Sequence, residues 1–237
     1  MRVHFMPTCL VDVLTPHVGE AAVDVLESAG CEVVVPAGQT CCGQPAMNVG
    51  MVEEARQMAE RTIEVFSGSD DPVVLPSGSC AEMLTHHYPR LFAGTEHEEA
   101  ATRLAGRTRE LTRFLVTDLD APVRATSEGT VAYQYSCHGL RGLGLAGCAD
   151  RLLEDVERAD FDGMECCGFG GLFSVAMPDV SAAILEAKLD RLEASGADVL
   201  ASGDVSCLMH LEGGLRRRGS AIEVRHIAEL LAPEDDE

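Results

Sequence analysis

Eight of the ten cysteines in this 237-residue chain form one spacing pattern that occurs twice. The two sets are related by offsets of 128, 125, 125 and 127 residues, so corresponding cysteines lie about half a chain apart. Thiolates are soft ligands suited to iron–sulfur clusters or zinc, and the repeat therefore predicts two equivalent metal-binding groups. The first group is Cys9, Cys41, Cys42 and Cys80, and the second is Cys137, Cys166, Cys167 and Cys207.

The adjacent cysteines within each group discriminate among the possible uses of these thiols. One tetrahedral zinc ion usually takes ligands about two to four residues apart, whereas neighbouring thiolates can reach separate irons of one cluster. The pattern therefore favours iron–sulfur clusters. A zinc site and redox chemistry of a vicinal disulfide without metal remain as alternatives. Cys31 and Cys148 have no counterpart in the repeat, and we predict that they are small buried hydrophobic residues.

A glycine follows each adjacent pair, in the loops that begin at Gly43 and Gly168. The second loop resembles a phosphate-binding turn only weakly, because it follows a cysteine pair rather than a strand. We expect Gly43, Gly168 and Gly170 to contact the cofactor, with backbone N–H groups that donate to cluster sulfur. No residue is predicted to be catalytic. His138 and His210 lie close behind cysteines but are not repeated, so neither is predicted to be a ligand.

Short, valine-rich runs alternate with helical patterns along the chain, which predicts parallel α/β sheets. We therefore expect an α/β protein of two pseudo-twofold-related lobes, residues 1–125 and 126–237, each a small parallel sheet flanked by helices. Ligands bind at the carboxyl ends of parallel strands, and the cysteine clusters are predicted to lie there. The predicted strands are Val3 to Met6, Val33 to Val35, Val73 to Leu75, Val131 to Tyr135, Val199 to Ala201 and Ile222 to Val224.

The composition narrows the classes of partner and the cellular compartment. A net charge of −21, with Lys188 as the single lysine, argues against nucleic acid and anionic lipid surfaces. Such acidity is typical of proteins from salt-loving organisms or of an acidic docking face. The sequence has no signal-peptide core and no apolar run of about 18 residues, so we expect a cytoplasmic protein with reduced cysteines and no transmembrane segment. The final segment, Pro233 to Glu237, is predicted to be an acidic tail.

The double Cys, Cys-Cys-Gly, Cys pattern resembles the CCG cysteine-rich domain family, which includes a cysteine-rich component of heterodisulfide reductase and the iron–sulfur component of glycolate oxidase. Within that family, nearly the whole chain resembles the small cysteine-rich proteins of lactate utilization complexes. The strings that carry the likeness include VVLPSGSCAEMLTHHYP, CCGFGGLFSVAMPDVS and SCLMHLEGGLRRRG.

This resemblance implies an iron–sulfur electron-transfer subunit of a cytoplasmic complex that oxidises L-lactate to pyruvate, rather than a self-sufficient enzyme. It implies 4Fe-4S clusters, one per half and one or two in total. It also implies two other subunits as partners, at least one of them an iron–sulfur protein. The alternatives are a heterodisulfide-reductase-like thiol–disulfide reductase, the iron–sulfur subunit of glycolate oxidase, and a zinc-stabilised interaction module.

One departure from the heterodisulfide reductase pattern bears on these alternatives. That pattern has five cysteines per motif, ends in CxxC and holds a noncubane double cluster. Ser77 and Asp204 occupy the earlier position of that final pair in this chain. Four thiolates per half remain, which suits one ordinary four-iron cluster in each half.

Overall fold

The computed structural model of the protein describes residues 1–233, so all but the first residue of the predicted acidic tail, Pro233 to Glu237, lies outside the described residues. The chain forms two parallel sheets, with strand orders β2-β1-β3-β4 and β5-β6-β7. This confirms the predicted α/β architecture. The strands are β1 Arg2–Phe5, β2 Glu32–Val34, β3 Val73–Leu75, β4 Thr108–Glu110, β5 Val131–Gln134, β6 Val199–Ser202 and β7 Glu223–His226.

Helices follow the strands and cover the sheets. Those up to β5 are α1 Cys9–Leu14, α2 Pro16–Ser28, α3 Gln44–Asn48, α4 Val52–Phe66, α5 Gly78–Glu82, α6 Tyr88–Leu91, α7 Glu98–Arg107 and α8 Leu111–Arg113. Those after β5 are α9 Ala146–Leu152, α10 Phe173–Ala176, α11 Pro178–Ala194, α12 Val205–Arg218 and α13 Ile227–Leu231. Three short π-helical segments are Met83–His87, Phe114–Asp118 and His138–Gly142. No helix within residues 1–233 has the length and apolar character needed to cross a membrane.

The two sheets repeat one plan. Strands β1, β3 and β4 correspond to β5, β6 and β7, and a single parallel bridge between Val131 and Arg158 takes the place of β2. All six predicted strands are present. The sequence does not predict β4, because Thr108-Arg109-Glu110 has no apolar residue to mark a strand.

A hydrophobic cluster common to both halves lies between the sheets. Strand residues alternate between the two faces of a sheet, so Phe5 and Tyr133 point into this shared cluster whereas Met6 and Ala132 point to the other face, towards separate clusters. The helix that follows the last strand of each sheet packs against the other half: α13 packs against α2, and α8 packs against α9. The division into residues 1–125 and 126–237 stays a prediction, and those two parts share this core.

Candidate metal centre

Four of the eight repeated cysteines lie just beyond strand ends, at the carboxyl edges of the sheets. Cys9 is the first residue of α1, after β1, and Cys80 lies in α5, after β3. Cys137 follows β5, and Cys207 lies in α12, after β6. The strand–loop–helix order of parallel sheets thus brings these side chains to one end of the protein.

The adjacent cysteine pairs lie in loops that depend on glycine. Gly43 and Gly168 have φ angles of +88° and +92°, which side chains rarely adopt. A Cβ atom at Gly43 would lie 2.9 Å from the carbonyl oxygen of Ala55, and one at Gly168 would lie 2.9 Å from that of Ser181. Each glycine therefore lets its cysteine loop approach the backbone of the following long helix, α4 or α11.

The sulfur atoms form the two predicted groups. Cys42 Sγ lies 3.3 Å from Cys80 Sγ, and Cys167 Sγ lies 3.3 Å from Cys207 Sγ. The remaining contacts join each adjacent pair to the first cysteine of its group. All ten cysteines are free.

Each group contains one cysteine that is stabilised as a thiolate. Hydrogen bonds from the thiols of Cys42 and Cys9 lower the pKa of Cys41 to about 2. Hydrogen bonds from Cys137 and Cys167 lower the pKa of Cys166 to about 2. The pKa values of the thiols that donate to these thiolates shift upwards, because hydrogen bonding to the thiolate and burial both favour the protonated form. These thiols are Cys9, Cys42, Cys137 and Cys167. The two groups therefore have the same electrostatic organisation.

Both groups line one cavity of about 370 Å³ between the halves. All eight cysteines contribute to its wall, together with Gly170, His138 and Asp204. A larger groove of about 880 Å³ at the amino end of the second sheet has no cysteine in its wall. All eight repeated cysteines converge on the smaller cavity, so we assign the candidate centre there.

Each half supplies a donor set of four thiols. Within residues 1–233, no group of three or more histidine, cysteine, aspartate or glutamate side chains is arranged to hold a single metal ion. Four thiols in each half supply the Cys₄ set that a four-iron cluster requires. The backbone N–H groups of Gly168 and Phe169 donate to Cys166 Sγ at 3.4 Å and to Cys167 Sγ at 3.5 Å.

The predicted glycine contacts are only partly tested by this geometry. Gly168 donates to a cysteine sulfur, and the N–H of Gly43 bonds to Cys41 in the same way. Gly170, with φ +55°, lines the cavity. Their contact with cluster sulfur stays a prediction, as does ligation by the eight cysteines.

The positions that depart from the five-cysteine pattern cap helices and join the two halves. Ser77 and Asp204 are the N-cap residues of α5 and α12, and both are almost completely buried. The Asp204 carboxylate accepts hydrogen bonds from Ser79 N at 2.9 Å and Ser77 Oγ at 3.3 Å across the halves. It also accepts from Ser206 within its own helix. The sequence repeat relates positions 77 and 204 to each other but does not predict this contact.

A second contact across the halves involves His138, which the sequence does not predict to be a ligand. Its Nδ1 atom pairs with the Glu82 carboxylate, and its Nε2 atom lies 3.0 Å from Gln44 Nε2. The ring lines the cysteine cavity and is about one-third exposed. Sequence reasoning missed this pair because Glu82 lies 56 residues away, in the other half.

Exposed apolar side chains lie on the segments next to the cysteine loops. Leu172 and Val175 line the cavity and are 40% and 73% exposed. The other large exposed apolar residues that follow the cysteine pairs are Val49, Met51, Val52, Met177 and Val180. Isolated proteins rarely keep extended apolar patches in water.

The two cysteines outside the repeat differ from each other in burial. Cys31 is buried, as predicted, and packs in the shared cluster. Cys148 is only partly buried and lies 3.9 Å from Thr117 Oγ1.

Comparison with known proteins identifies one family profile and relatives that share one name. A family profile described as a cysteine-rich domain, CCG, matches residues 3–85 and 131–212. Lactate utilization protein A from Geobacillus sp. (strain WCH70) is 43% identical, over 98% of this chain and 99% of that protein. Its counterpart from Shouchella clausii (strain KSM-K16) is 45% identical, over 98% of each. A solved structure of allantoin racemase from Pseudomonas fluorescens is 13% identical, with a TM-score of 0.34, over 97% of this chain and 87% of that chain; similarity at that level carries no argument.

Proposed function

The chain belongs to the lactate utilization protein A family of cysteine-rich CCG-domain proteins, and we propose that it is an iron–sulfur electron-transfer subunit of a cytoplasmic complex that oxidises L-lactate to pyruvate. The observation that carries the proposal is the pair of four-thiol groups lining one cavity. The names of the relatives support lactate, rather than glycolate, as the electron donor. Ten free cysteines fit a reducing compartment.

The residues of each half have separate roles in this proposal. Cys9, Cys41, Cys42 and Cys80 would hold one 4Fe-4S cluster, and Cys137, Cys166, Cys167 and Cys207 would hold the other. Such a cluster, when bound, supplies a one-electron carrier. The backbone donors of Gly168 and Phe169 and the tight loops at Gly43 and Gly168 fix the sulfur positions. No lactate-binding residue is assigned to this chain.

The proposal includes partners, because an electron carrier needs a donor and an acceptor. We propose two other subunits, at least one of them an iron–sulfur protein. The exposed apolar residues near the cavity, of which Val175 is the most exposed, support burial against another subunit. Electrons would then pass between centres without first crossing the surrounding water.

A thiol–disulfide reductase of the heterodisulfide type is the less supported alternative. It would use the five-ligand pattern, in which a thiol stands at positions 77 and 204. Ser77 and Asp204 instead form buried caps and hydrogen-bond to each other. Neither supplies a soft fifth ligand.

Replacement of single cysteines in the organism that encodes the chain tests the proposal. Cys42→Ser and Cys167→Ser each exchange a soft thiolate for a poor ligand, and each variant should lose about half of its iron. Both strains should fail to grow on L-lactate as sole carbon source while growing normally on glucose. Cys148→Ser, outside both groups, is the matched control and should grow on lactate. Normal growth on lactate by an iron-depleted variant would show that electron transfer through that group is dispensable.

A further inference from the structure

Helix α11 carries a completely buried cation whose counterpart in α4 is neutral. Five buried positions of the two helices correspond at a constant offset of 126 residues. The pairs are Ala55 and Ser181, Ala59 and Leu185, Thr62 and Lys188, Ile63 and Leu189, and Phe66 and Leu192. Lys188, the only lysine of the chain, is 0% exposed, and Thr62 is 2% exposed. The halves therefore differ by one full charge at an equivalent buried position.

Lys188 lies directly behind the second group of thiols. Its Nζ atom donates at 2.9 Å to the carbonyl oxygen of Glu165, the residue before Cys166, and at 2.9 Å to that of Asp162. The ammonium group also lies 4.8 Å from the centre of the Phe161 ring. On the same helix, Leu185 and Leu189 pack with Cys167 in one hydrophobic cluster. These contacts hold the side chain next to the cysteine loop.

The first half has no charge at the corresponding place. Thr62 Oγ1 donates to the carbonyl oxygen of Met58 at 3.1 Å and so satisfies its polarity within its own helix. The nearest other cation on α11, Arg191, pairs with the Glu165 carboxylate and is 46% exposed, so water screens its charge. Burial lowers the pKa of Lys188, and the charges of Glu165 and Asp162 oppose that shift.

Resting on the function proposed above, we propose that Lys188 makes the two centres unequal, so that the second-half centre is easier to reduce and electrons move from the first group to the second. Reduction adds one negative charge to a centre, and a buried cation stabilises that charge in a medium of low dielectric. One electron leaves the first centre and one arrives at the second, with no bond made or broken. The N–H group of Phe169, which donates to Cys167 Sγ, acts in the same direction.

Redox titration of the anaerobically purified full-length protein, followed by electron paramagnetic resonance, tests this assignment. The wild type should give two midpoint potentials, and Cys42→Ser, which keeps the second centre, should retain the higher one. Lys188→Gln keeps one donor for the loop carbonyls but removes the charge. It should lower the higher midpoint potential by about 59 mV, which corresponds to a tenfold change in the equilibrium constant of a one-electron couple. The lower midpoint potential should stay unchanged.

Two further variants keep the test decisive if Lys188→Gln loses the second centre through misfolding. Lys188→Arg preserves the charge and should preserve both potentials. Arg191→Gln removes a cation from the same helix at an exposed position and should shift the second potential far less than Lys188→Gln does.

Three results would overturn the inference. They are a higher potential that belongs to the first half, unchanged potentials in Lys188→Gln with both centres intact, and equal shifts in Lys188→Gln and Arg191→Gln. A wild-type protein that binds no iron would overturn the proposed function itself, and with it this inference.

Discussion

Two contacts between helical segments join the halves beside the cysteine cavity. They involve equivalent segments of the repeat, but one contact is apolar and the other is polar. Where α1 meets α12, Val11 and Val205 form an apolar cluster with Val18, and Leu10 and Met209 pack against it. Where segment 138–142 meets α5, the corresponding contact is polar: His138 replaces Leu10, and Glu82 replaces Met209. The thiol groups are repeated faithfully, whereas their surroundings are not. The repeat therefore gives the two halves equal sets of thiols, and the differing neighbours can make two equivalent sites unequal.

A similar contrast occurs at the end of each half. Glu110 ends β4 and caps α8, and His226 ends β7 and caps α13, so the two side chains have equivalent places. Both are buried, and burial favours the neutral form of each. It raises the pKa of Glu110 to about 7 and lowers the pKa of His226 to about 4. The two halves therefore contain opposite responses to pH.

The largest expected effect comes from separating the halves. Residues 1–125 expressed alone should fail to fold cooperatively, because the apolar faces of α2 and β1 would lose the cover that the second half provides. Urea unfolding followed by circular dichroism measures this, with the full chain as control. A cooperative transition in the fragment would show that the shared core is not required and that the halves are independent domains.

Removal of the acid at position 110 should change how the free energy of unfolding depends on pH. Glu110 keeps its proton in the folded state between pH about 4.5 and 7, so its contribution to stability falls as pH rises. His226 stays neutral between pH about 4 and 6.5 while the unfolded chain gains a proton, so its contribution rises with pH. Each amounts to about 3 kcal/mol, and they oppose each other in the wild type.

In Glu110→Gln the response of position 110 is removed, so that it no longer offsets the response of His226. The free energy of unfolding of this variant should increase by about 3 kcal/mol from pH 4 to 6.5 relative to the wild-type profile. Urea titrations at half-unit pH steps give the comparison, and His226→Asn should show the reverse trend. Parallel profiles for Glu110→Gln and wild type would refute the assignment to Glu110.

Exchange of the capping residues tests whether the contact between Ser77 and Asp204 is equally stable when the carboxylate is at position 77 and the hydroxyl is at position 204. Asp204→Ser should lower the free energy of unfolding by about 2 kcal/mol, because Ser79 N and Ser206 N lose a charged acceptor. Ser77→Asp should also destabilise, since it buries two carboxylates together. The double variant restores one acid and one serine and should recover more than half of the combined loss. A double variant whose loss equals the sum of the single losses would show that the pair is not coupled.

The smallest effect is expected where the two halves differ most visibly. His138→Leu copies the first half and removes the pair with Glu82, which is partly screened because His138 is about one-third exposed. The loss in unfolding free energy should be at most about 1 kcal/mol, with iron content unchanged. Glu82→Met combined with His138→Leu should recover part of it through apolar packing. A large loss of iron in His138→Leu alone would instead identify His138 as a support of the second centre.

The parts of the fold that can be predicted are those encoded by local pattern. Valine-rich runs indicate six of the seven strands, and the repeated cysteines indicate two equal groups at the carboxyl edges. Strand β4 is not predicted because it has only three residues and none of them is apolar. Its last residue, Glu110, is a polar residue that caps α8.

The relations between the halves could not be predicted, because they join residues far apart in sequence. The contact between Ser77 and Asp204 spans 127 residues, and both groups of thiols share one cavity. The charge of Lys188 is visible in the sequence, but only the packing of α11 shows that it is buried behind Cys167.

Metal and sulfide analysis of the anaerobically purified full-length chain tests the central claim most directly. Two 4Fe-4S clusters require about eight iron and eight sulfide per chain, with a broad brown absorption that dithionite bleaches. About four iron per chain would retain an iron–sulfur centre but contradict the equality of the two groups. Stoichiometric zinc without visible absorption, or a colourless protein without metal, would contradict the proposed electron-transfer function.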